Sequence, residues 1–447
     1  MRLPLLLILL PLLALSADFY IFRRNFRHKS KWIKILWWGL SLVTLLLVCI
    51  GVTGLFAFPG KLDINISMWI FYIFFLVYMP KWFYSIFSLF DYVPRLWKRK
   101  KGKWGHMIGT ALALYVIGSM LYGAFYARQH PIYNYRTISF PNLPEDFDGY
   151  RIVQFSDLHL ETLGSAANYL PRWINRINQL HPDLIVFTGD LVNRRGNELP
   201  PYMNELSRLS APDGVYSILG NHDYGDYFHW ENPEEKEQTL RSLIVNEEKM
   251  GWTMLNNRSV FLHRGNDSIA LIGVENWGLP PFPQYGKLDQ AYSSLNDSVF
   301  KILLSHNPLH WKHEVIPHSN IDLTLSGHTH AMQLKLGWEG FEYSFAEPLY
   351  PEWSGLYTAP DKHQMLYVNE GIGCVFLPMR IGARPEITII TLKNHEYIDI
   401  QAPVTITGFC RETNRKNNRT ARQRSHYSFH QPLPQRGYRF PRRGTNR

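Results

Sequence analysis

The sequence predicts an α/β domain preceded by an α-helical transmembrane region. Three observations carry that prediction. Four apolar runs lie within residues 1–130, short apolar runs alternate with helical stretches from Arg151 onward, and each short run ends in a polar cluster. A chain of 447 residues has room for more than one folded unit. At 46% hydrophobic and 19% charged, it is not a globally disordered chain. Three cysteines exclude a disulfide-stapled scaffold and a Cys-rich zinc module.

Charge divides the chain further. Residues 1–130 hold 16 Lys+Arg against 3 Asp+Glu, and residues 409–447 hold 11 against one, Glu412. The 131–408 stretch holds 20 against 33, an acidic domain between two basic flanks. The overall pI of about 9.3 would suggest nucleic acid. An acidic domain repels phosphate backbones unless cations reverse the local field, so nucleic acid is not the expected partner. Residues 409–447 read as a solvated, disordered tail, with anionic lipid or nucleic acid as its electrostatic options.

The apolar runs predict helices over about 3–22, 35–58, 68–90 and 107–127. A span needs about 20 residues. The third run is the weakest, because Pro80-Lys81 interrupts it; an interfacial or re-entrant helix is the alternative there. The first run also fits a signal peptide, with Arg2 ahead and Ala14-Leu-Ser16 as a cleavage site. Loop charges argue for four uncleaved spans. Arg23, Arg24, Arg27, Lys29 and Lys31 follow the first run, and Arg95, Lys98, Arg99, Lys100, Lys101 and Lys103 follow the third. Only Lys61 follows the second. Both basic loops would be cytoplasmic, placing the domain after Ala127 outside. That side reverses if the third run does not span.

From Arg151 the runs Arg151–Phe155, Leu184–Phe187, Val215–Leu219, Lys301–Leu304 and Leu323–Leu325 read as buried strands. Leu170, Ile174, Ile177 and Leu180 recur at helical spacing, and Pro233-Glu-Glu after Asn232 starts a second helix. Ile269–Val274, Met365–Val368 and Glu386–Leu392 supply further strands. Such alternation argues an α/β domain with ligands at the strand ends.

The strand-end clusters contain Asp157, His159, Asp190, Asn221, His222, Asp223, His306, His328 and His330. Carboxylate, imidazole and amide oxygen together suit divalent cations. Asp157 and His159, at i and i+2 of an extended segment, would point the same way, and His328 and His330 would repeat that geometry. Each cluster alone is an ordinary turn or cap. Five in order, each at a strand end, are not.

The ordered set Asp157-x-His159, Gly189-Asp190, Gly220-Asn221-His222-Asp223, Ser305-His306 and Gly327-His328-x-His330 resembles the calcineurin-like metallophosphoesterases over residues 148–395. The stretch 369–384 further resembles a membrane-associated bacterial branch. That branch includes phosphodiesterases related to the UDP-2,3-diacylglucosamine pyrophosphatases of lipid A synthesis. One departure is Asn193, where the family often has Asp or Arg.

The resemblance implies a four-layer α-β-β-α sandwich of two mixed sheets and two divalent metal ions, Mn, Fe or Zn. Asp157, His159 and His330 would hold the first, Asn221, His306 and His328 the second, and Asp190 would bridge them. A metal-activated hydroxide would attack phosphorus while His222, oriented by Asp223, protonates the leaving oxygen. Arg380 and Arg384 are candidate phosphate grips; a surface ion pair is the plainer reading.

The expected substrate carries a phosphodiester or pyrophosphate bond, in a small molecule or a lipid. The alternative is a catalytically silent membrane receptor or scaffold on the same fold. The sequence assigns no oligomeric state.

Overall fold

The computed structural model describes residues 3–56, 63–97, 100, 102–280, 282–338, 340–360 and 363–394. The basic tail 409–447, with Cys410, lies outside them.

Four long helices come first: α1 (Leu3–Ile21), α2 (Lys31–Phe56), α3 (Ile64–Leu89) and α4 (Trp104–Phe125). Pro80 sits inside α3 without ending it, so the third apolar run forms one continuous helix. Among the described residues three helices are long and apolar enough to cross a membrane, over Lys31–Gly54, Ile64–Trp97 and Trp104–Gln129. α2, α3 and α4 begin three or four residues before their apolar runs. At α3 the Asp63 carboxylate accepts from the Asn65 amide at 2.7 Å.

Lys81, the charge interrupting the third run, has a partner. Its Nζ is 2.7 Å from Asp18 Oδ1 of α1, and Tyr78 donates to the same carboxylate at 2.8 Å. A charge within a membrane span would require such pairing. The segments after α1 and after α3 meet at one end of the bundle. There Arg24 pairs with Asp91 and Asn25 donates to Tyr84 at 2.9 Å. The α/β domain meets the other end: Asn65 Nδ2 donates to the Glu161 carbonyl at 2.8 Å, and the Arg380 amide to the Gly123 carbonyl at 3.3 Å.

The α/β domain contains β1 (Ile132–Ser139), β2 (Arg151–Phe155), β3 (Leu184–Phe187), β4 (Val215–Ser217), β5 (Trp252–Met254), β6 (Arg258–Arg264) and β7 (Asp267–Gly273). These are followed by β8 (Lys301–Leu304), β9 (Leu323–Ser326), β10 (Lys335–Trp338), β11 (Phe341–Ser344), β12 (Gly355–Thr358), β13 (Met365–Val368) and β14 (Glu386–Lys393). One mixed sheet runs β1-β14-β2-β3-β4-β5, a second β12-β13-β9-β8-β7-β6, and β10-β11 form a separate hairpin.

Period-two alternation decides which side chain faces which layer. Ile152, Leu184 and Val186 of the first sheet pack on Leu271, Ile302, Leu304 and Leu325 of the second. Their neighbours Val153, Ile185 and Phe187 face outward onto Trp173, Ile174 and Ile177 of α5 (Leu170–Gln179). A short α6 (Met203–Leu206) and α7 (Pro233–Lys249) complete that layer through Leu206 and Leu243. On the far side Ile272, Leu303 and Val368 pack under Trp311, Val315 and Leu288. The architecture is helices, sheet, sheet, helices, as expected.

Candidate metal centre

β2, β3, β4, β8 and β9 run parallel within their sheets and leave their carboxyl ends beside one another. The loops that follow carry the Asp, Asn and His residues singled out in the sequence. They do not continue as extended strand. Asp157, His159, Asp190, His328 and His330 have φ values of 54°, 47°, 60°, 75° and 49°. The expected i, i+2 strand geometry for Asp157 and His159 is therefore corrected. Left-handed backbone turns both side chains inward, at a cost of about 1–2 kcal/mol per non-glycine residue. Gly189 (φ +94°) shows why the turns are tight: a Cβ there would sit 2.6 Å from the Gly220 nitrogen and 2.8 Å from His306 Nδ1.

Two sets of donor atoms result. In the first, His330 Nε2 is 3.2 Å from Asp157 Oδ1 and 3.0 Å from His159 Nε2. In the second, Asn221 Oδ1 is 3.0 Å from His306 Nε2 and 2.8 Å from His328 Nδ1. Asp190 Oδ2 lies between the sets, 3.6 Å from His159 Nε2 and 3.3 Å from His306 Nε2. All seven sequence-predicted ligands thus converge. The donor set fits two divalent cations, because carboxylate, imidazole and amide oxygen converge in two groups, where a cation can replace the protons that would otherwise join them.

The electrostatics agree. Burial disfavours the Asp157 carboxylate, but His330 and His306 hold it well below the ordinary range. Asp190 is held low in the same way, by His306 and His222. Burial and the facing His222 push His159 well down, and burial with His306 pushes His328 to about 3. His306 is the exception: burial lowers it, yet Asp190 raises it to about 9, a proton standing where a cation would.

Outer contacts fix the ring orientations. His306 Nδ1 faces the Thr188 carbonyl at 2.8 Å, and His328 Nε2 meets Tyr350 OH at 2.8 Å. Asn221 Nδ2 donates to Tyr227 OH at 2.9 Å, which turns Oδ1 toward the centre. Tyr227 also stacks on His222, ring centroids 4.3 Å apart. No spacing motif marks Tyr227 or Tyr350, so sequence reasoning passes over both.

His222 is half-buried beside the cluster, but its expected partner differs. Asp223 accepts the backbone N–H groups of Asp190, Val192 and Gly220 at 2.9, 3.0 and 2.8 Å. The contact to His222 Nδ1 comes instead from the Asn193 carbonyl at 2.6 Å. Burial and the adjacent Asp190 raise Asp223 to about 7.

Arg380 does not face the cleft. Its buried guanidinium donates to the carbonyls of Gly373 and Glu370 at 2.8 and 2.9 Å and lies 2.8 Å from His330 Nδ1. Arg384 donates to the His130 carbonyl at 2.6 Å. Of the tryptophans near the ligand loops, Trp277 and Trp353 are buried packing residues and Trp338 is exposed. His310 is buried, its Nδ1 2.8 Å from Ser305 Oγ.

The profile of the calcineurin-like phosphoesterase family matches residues 150–332. The Bacillus subtilis strain 168 protein YkuE, an uncharacterized metallophosphoesterase, is 35% identical over 264 residues, covering 58% of this chain and 84% of its own. The chain belongs to the calcineurin-like phosphoesterase family. It is a phosphoester hydrolase with a transmembrane region, for the profile of a probable calcineurin-like phosphoesterase transmembrane domain matches residues 1–128. The UDP-2,3-diacylglucosamine pyrophosphatase LpxG of Chlamydia trachomatis is 30% identical over 300 residues, covering 56% of this chain and 86% of its own. A Danio rerio transmembrane protein with a metallophosphoesterase domain is 33% identical over 293 residues, covering 64% of this chain and 62% of its own.

Proposed function

We propose that this phosphoesterase hydrolyses a phosphodiester or pyrophosphate bond in a lipid-linked substrate. One observation carries the substrate class. Asn221 and His328 form the floor of a cleft of about 510 Å³ walled by Leu279, Pro280, Phe282 and Leu349. That volume suits a head group with an apolar neighbour. Among its described lining residues there is no Lys or Arg, and Asp226 is the one charged side chain. A phosphate entering such a cleft needs cations to offset the acidic field.

Asp157, His159 and His330 would hold one divalent ion, Asn221, His306 and His328 the other, with Asp190 shared. Mn, Fe and Zn all suit the set. Bound, such ions supply Lewis acidity toward phosphate oxygens and lower the pKa of water. The protein's own residues do the rest. The Asn193 carbonyl would hold the Nδ1 proton of His222, so that the doubly protonated ring can give its Nε2 proton to the leaving oxygen. The Tyr227 ring keeps that imidazole in plane.

The proposed organisation is a membrane region over 1–130 with four spans, a catalytic domain over 131–408 and the basic tail 409–447. The catalytic domain would be extracytoplasmic. The Arg24–Asp91 pair supports this side, since it gathers both basic segments at the bundle end away from the α/β domain. Phospholipid head groups or polyprenyl phosphates are then the substrates in reach. The likeness to LpxG supports a pyrophosphate bond.

The test uses the full chain purified in detergent, with Mn and with chelator. It offers a phosphomonoester, a phosphodiester, a UDP-sugar pyrophosphate and a polyprenyl pyrophosphate, with Asp190→Asn as control. The expected result is metal-dependent cleavage of a diester or pyrophosphate, lost together with bound metal in the control. A metal-loaded protein that cleaves only the monoester, or nothing, would sink the reading.

A further inference from the structure

The β10–β11 hairpin is amphipathic in an unusual sense: its apolar face points outward. Leu336 pairs with Tyr343 and Trp338 with Phe341, so these four side chains share one face. They are 49%, 42%, 72% and 74% exposed, and the Trp338 and Phe341 rings lie 5.9 Å apart. The opposite face is tied down. Lys335 Nζ is 2.7 Å from Glu370 Oε1 and 3.5 Å from Glu342, and Ser344 is buried with its hydroxyl on the Ala331 carbonyl at 2.5 Å. An exposed aromatic hairpin of this kind marks an interaction surface.

Its root lies beside the membrane helices. The Lys335 amide donates to the Ile381 carbonyl at 2.8 Å, and the Ile381 amide to the Gln333 carbonyl at 2.9 Å. Ile381 itself packs on Tyr72, Met120 and Ala124 of α3 and α4. Next to it, Gly123 approaches Arg380 so closely that a Cβ would lie 2.8 Å from the Arg380 carbonyl oxygen. Exposed Tyr122, Phe125 and Tyr126 bracket Gly123. Tyrosines at a helix end are the residues that sit at the membrane–water interface.

We infer that the Leu336–Tyr343 and Trp338–Phe341 face lies in the leaflet that surrounds this end of α4. The occupant is the lipid surface itself: head groups and upper acyl chains, into which aromatic rings insert while the charged face stays with the protein. Exposed Phe345 and Leu349 follow the hairpin in sequence, and Leu349 walls the catalytic cleft. Exposed apolar side chains thus lie along the chain from the hairpin to the cleft wall. A lipid-linked substrate would enter from that side.

The experiment places an environment-sensitive fluorophore at Phe341→Cys in the full chain, with its own cysteines replaced. The protein is reconstituted into vesicles of phosphatidylethanolamine and phosphatidylglycerol. A label at Asn266→Cys, in the exposed β6–β7 turn, serves as solvent reference. The expected result is a blue-shifted emission at 341, quenched several-fold by brominated acyl chains, with neither effect at 266. A solvent-like spectrum at 341, or 341-to-341 crosslinks between copies in detergent, overturns the inference.

A second variant, Trp338→Ser with Phe341→Ser, separates docking from catalysis. Turnover of a water-soluble diester stays unchanged, while turnover of a vesicle-borne substrate falls about tenfold. Equal loss on both overturns it. The quenching is read without turnover, so its failure is distinct from a failure of the proposed activity.

Discussion

Arg380 touches both halves of the protein: its Nη2 lies 2.8 Å from Nδ1 of His330, and its amide donates to the Gly123 carbonyl of α4 at 3.3 Å. The same residue follows Leu377 and Met379, which pack among the membrane helices. The stretch 376–381 is thus a plug between bundle and centre. Phe376 adds to it, its ring 5.0 Å from that of Phe71. A proposed metal ligand is contacted by a side chain whose backbone is seated on a transmembrane helix.

Arg380→Ala should therefore weaken metal binding without touching a ligand. It leaves the buried carbonyls of Glu370 and Gly373 without their donor, each costing about 1–3 kcal/mol. The guanidinium carries only donors, so it bounds the His330 ring by packing rather than by accepting its Nδ1 proton, and the loss acts on metal binding through the loosened 370–383 backbone. Arg380→Lys keeps the charge but not the fork, and should recover only part of the loss. Metal titration of the full chain in detergent reads both. Wild-type affinity in Arg380→Ala would show that His330 is held by its other contacts.

Gly123→Leu tests the seat from the membrane side. Any Cβ at this position meets the Arg380 carbonyl oxygen at 2.8 Å and Ile381 at 3.0 Å, so the plug must move. A Cβ at Gly118 of the same helix would meet nothing within 4 Å, and Gly118→Leu is the control. The expectation is a lower melting temperature and weaker metal binding for the first only, at a cost of about 1–3 kcal/mol. Equal behaviour of the two would remove the argument for a coupled interface.

Much of the fold and the centre was legible in the sequence, and the reasons are local. Asp157, Asp190, His306 and His328 sit at the ends of short buried strands, and a buried strand announces itself as an apolar run. Asn232 before Pro233 announced α7, and its side chain does accept from the Glu235 amide at 2.7 Å. What was not legible depends on contacts between distant segments. Arg380 looks like an anion grip until its carbonyl partners are seen. Asp223 follows His222 in sequence, yet its carboxylate turns toward two amides of the neighbouring loop and one of its own. β10 and β11 carry ordinary strand alternation; only the fold shows that their apolar face is left uncovered.

Asp223 and His222 should separate cleanly on mutation. His222→Ala keeps all seven proposed ligands, so metal content should stay normal while turnover of a soluble diester falls about 10²–10⁴-fold. Asp223→Asn should instead act through the fold. An amide nitrogen would face N–H groups that now reach a carboxylate, and the loops after β3 and β4 would loosen. The checks are a thermal melt and metal analysis alongside kinetics. A stable, metal-replete Asp223→Asn with only turnover lost would return Asp223 to its expected role beside His222.

Glu247 makes stability depend on pH. Burial raises its carboxyl well above the ordinary 4.5, with Asp223 adding to the effect and the Ser217 hydroxyl, 2.6 Å away, opposing it. The native state therefore holds the proton that the unfolded chain releases. Below about pH 4.5 both states are protonated and the group imposes no penalty. As pH rises past that value the unfolded chain ionises first, and stability declines until the native carboxyl titrates too. Gln does not titrate, and its carbonyl can still accept from Ser217. Glu247→Gln should thus melt close to wild type near pH 4.5 and above it at pH 8. Each pH unit over which only the native state keeps that proton is worth about 1.4 kcal/mol, and each kcal/mol moves the midpoint by about 2–4 °C for a domain of this size. A gap that stays constant with pH would mean that Glu247 is ionised in the folded protein.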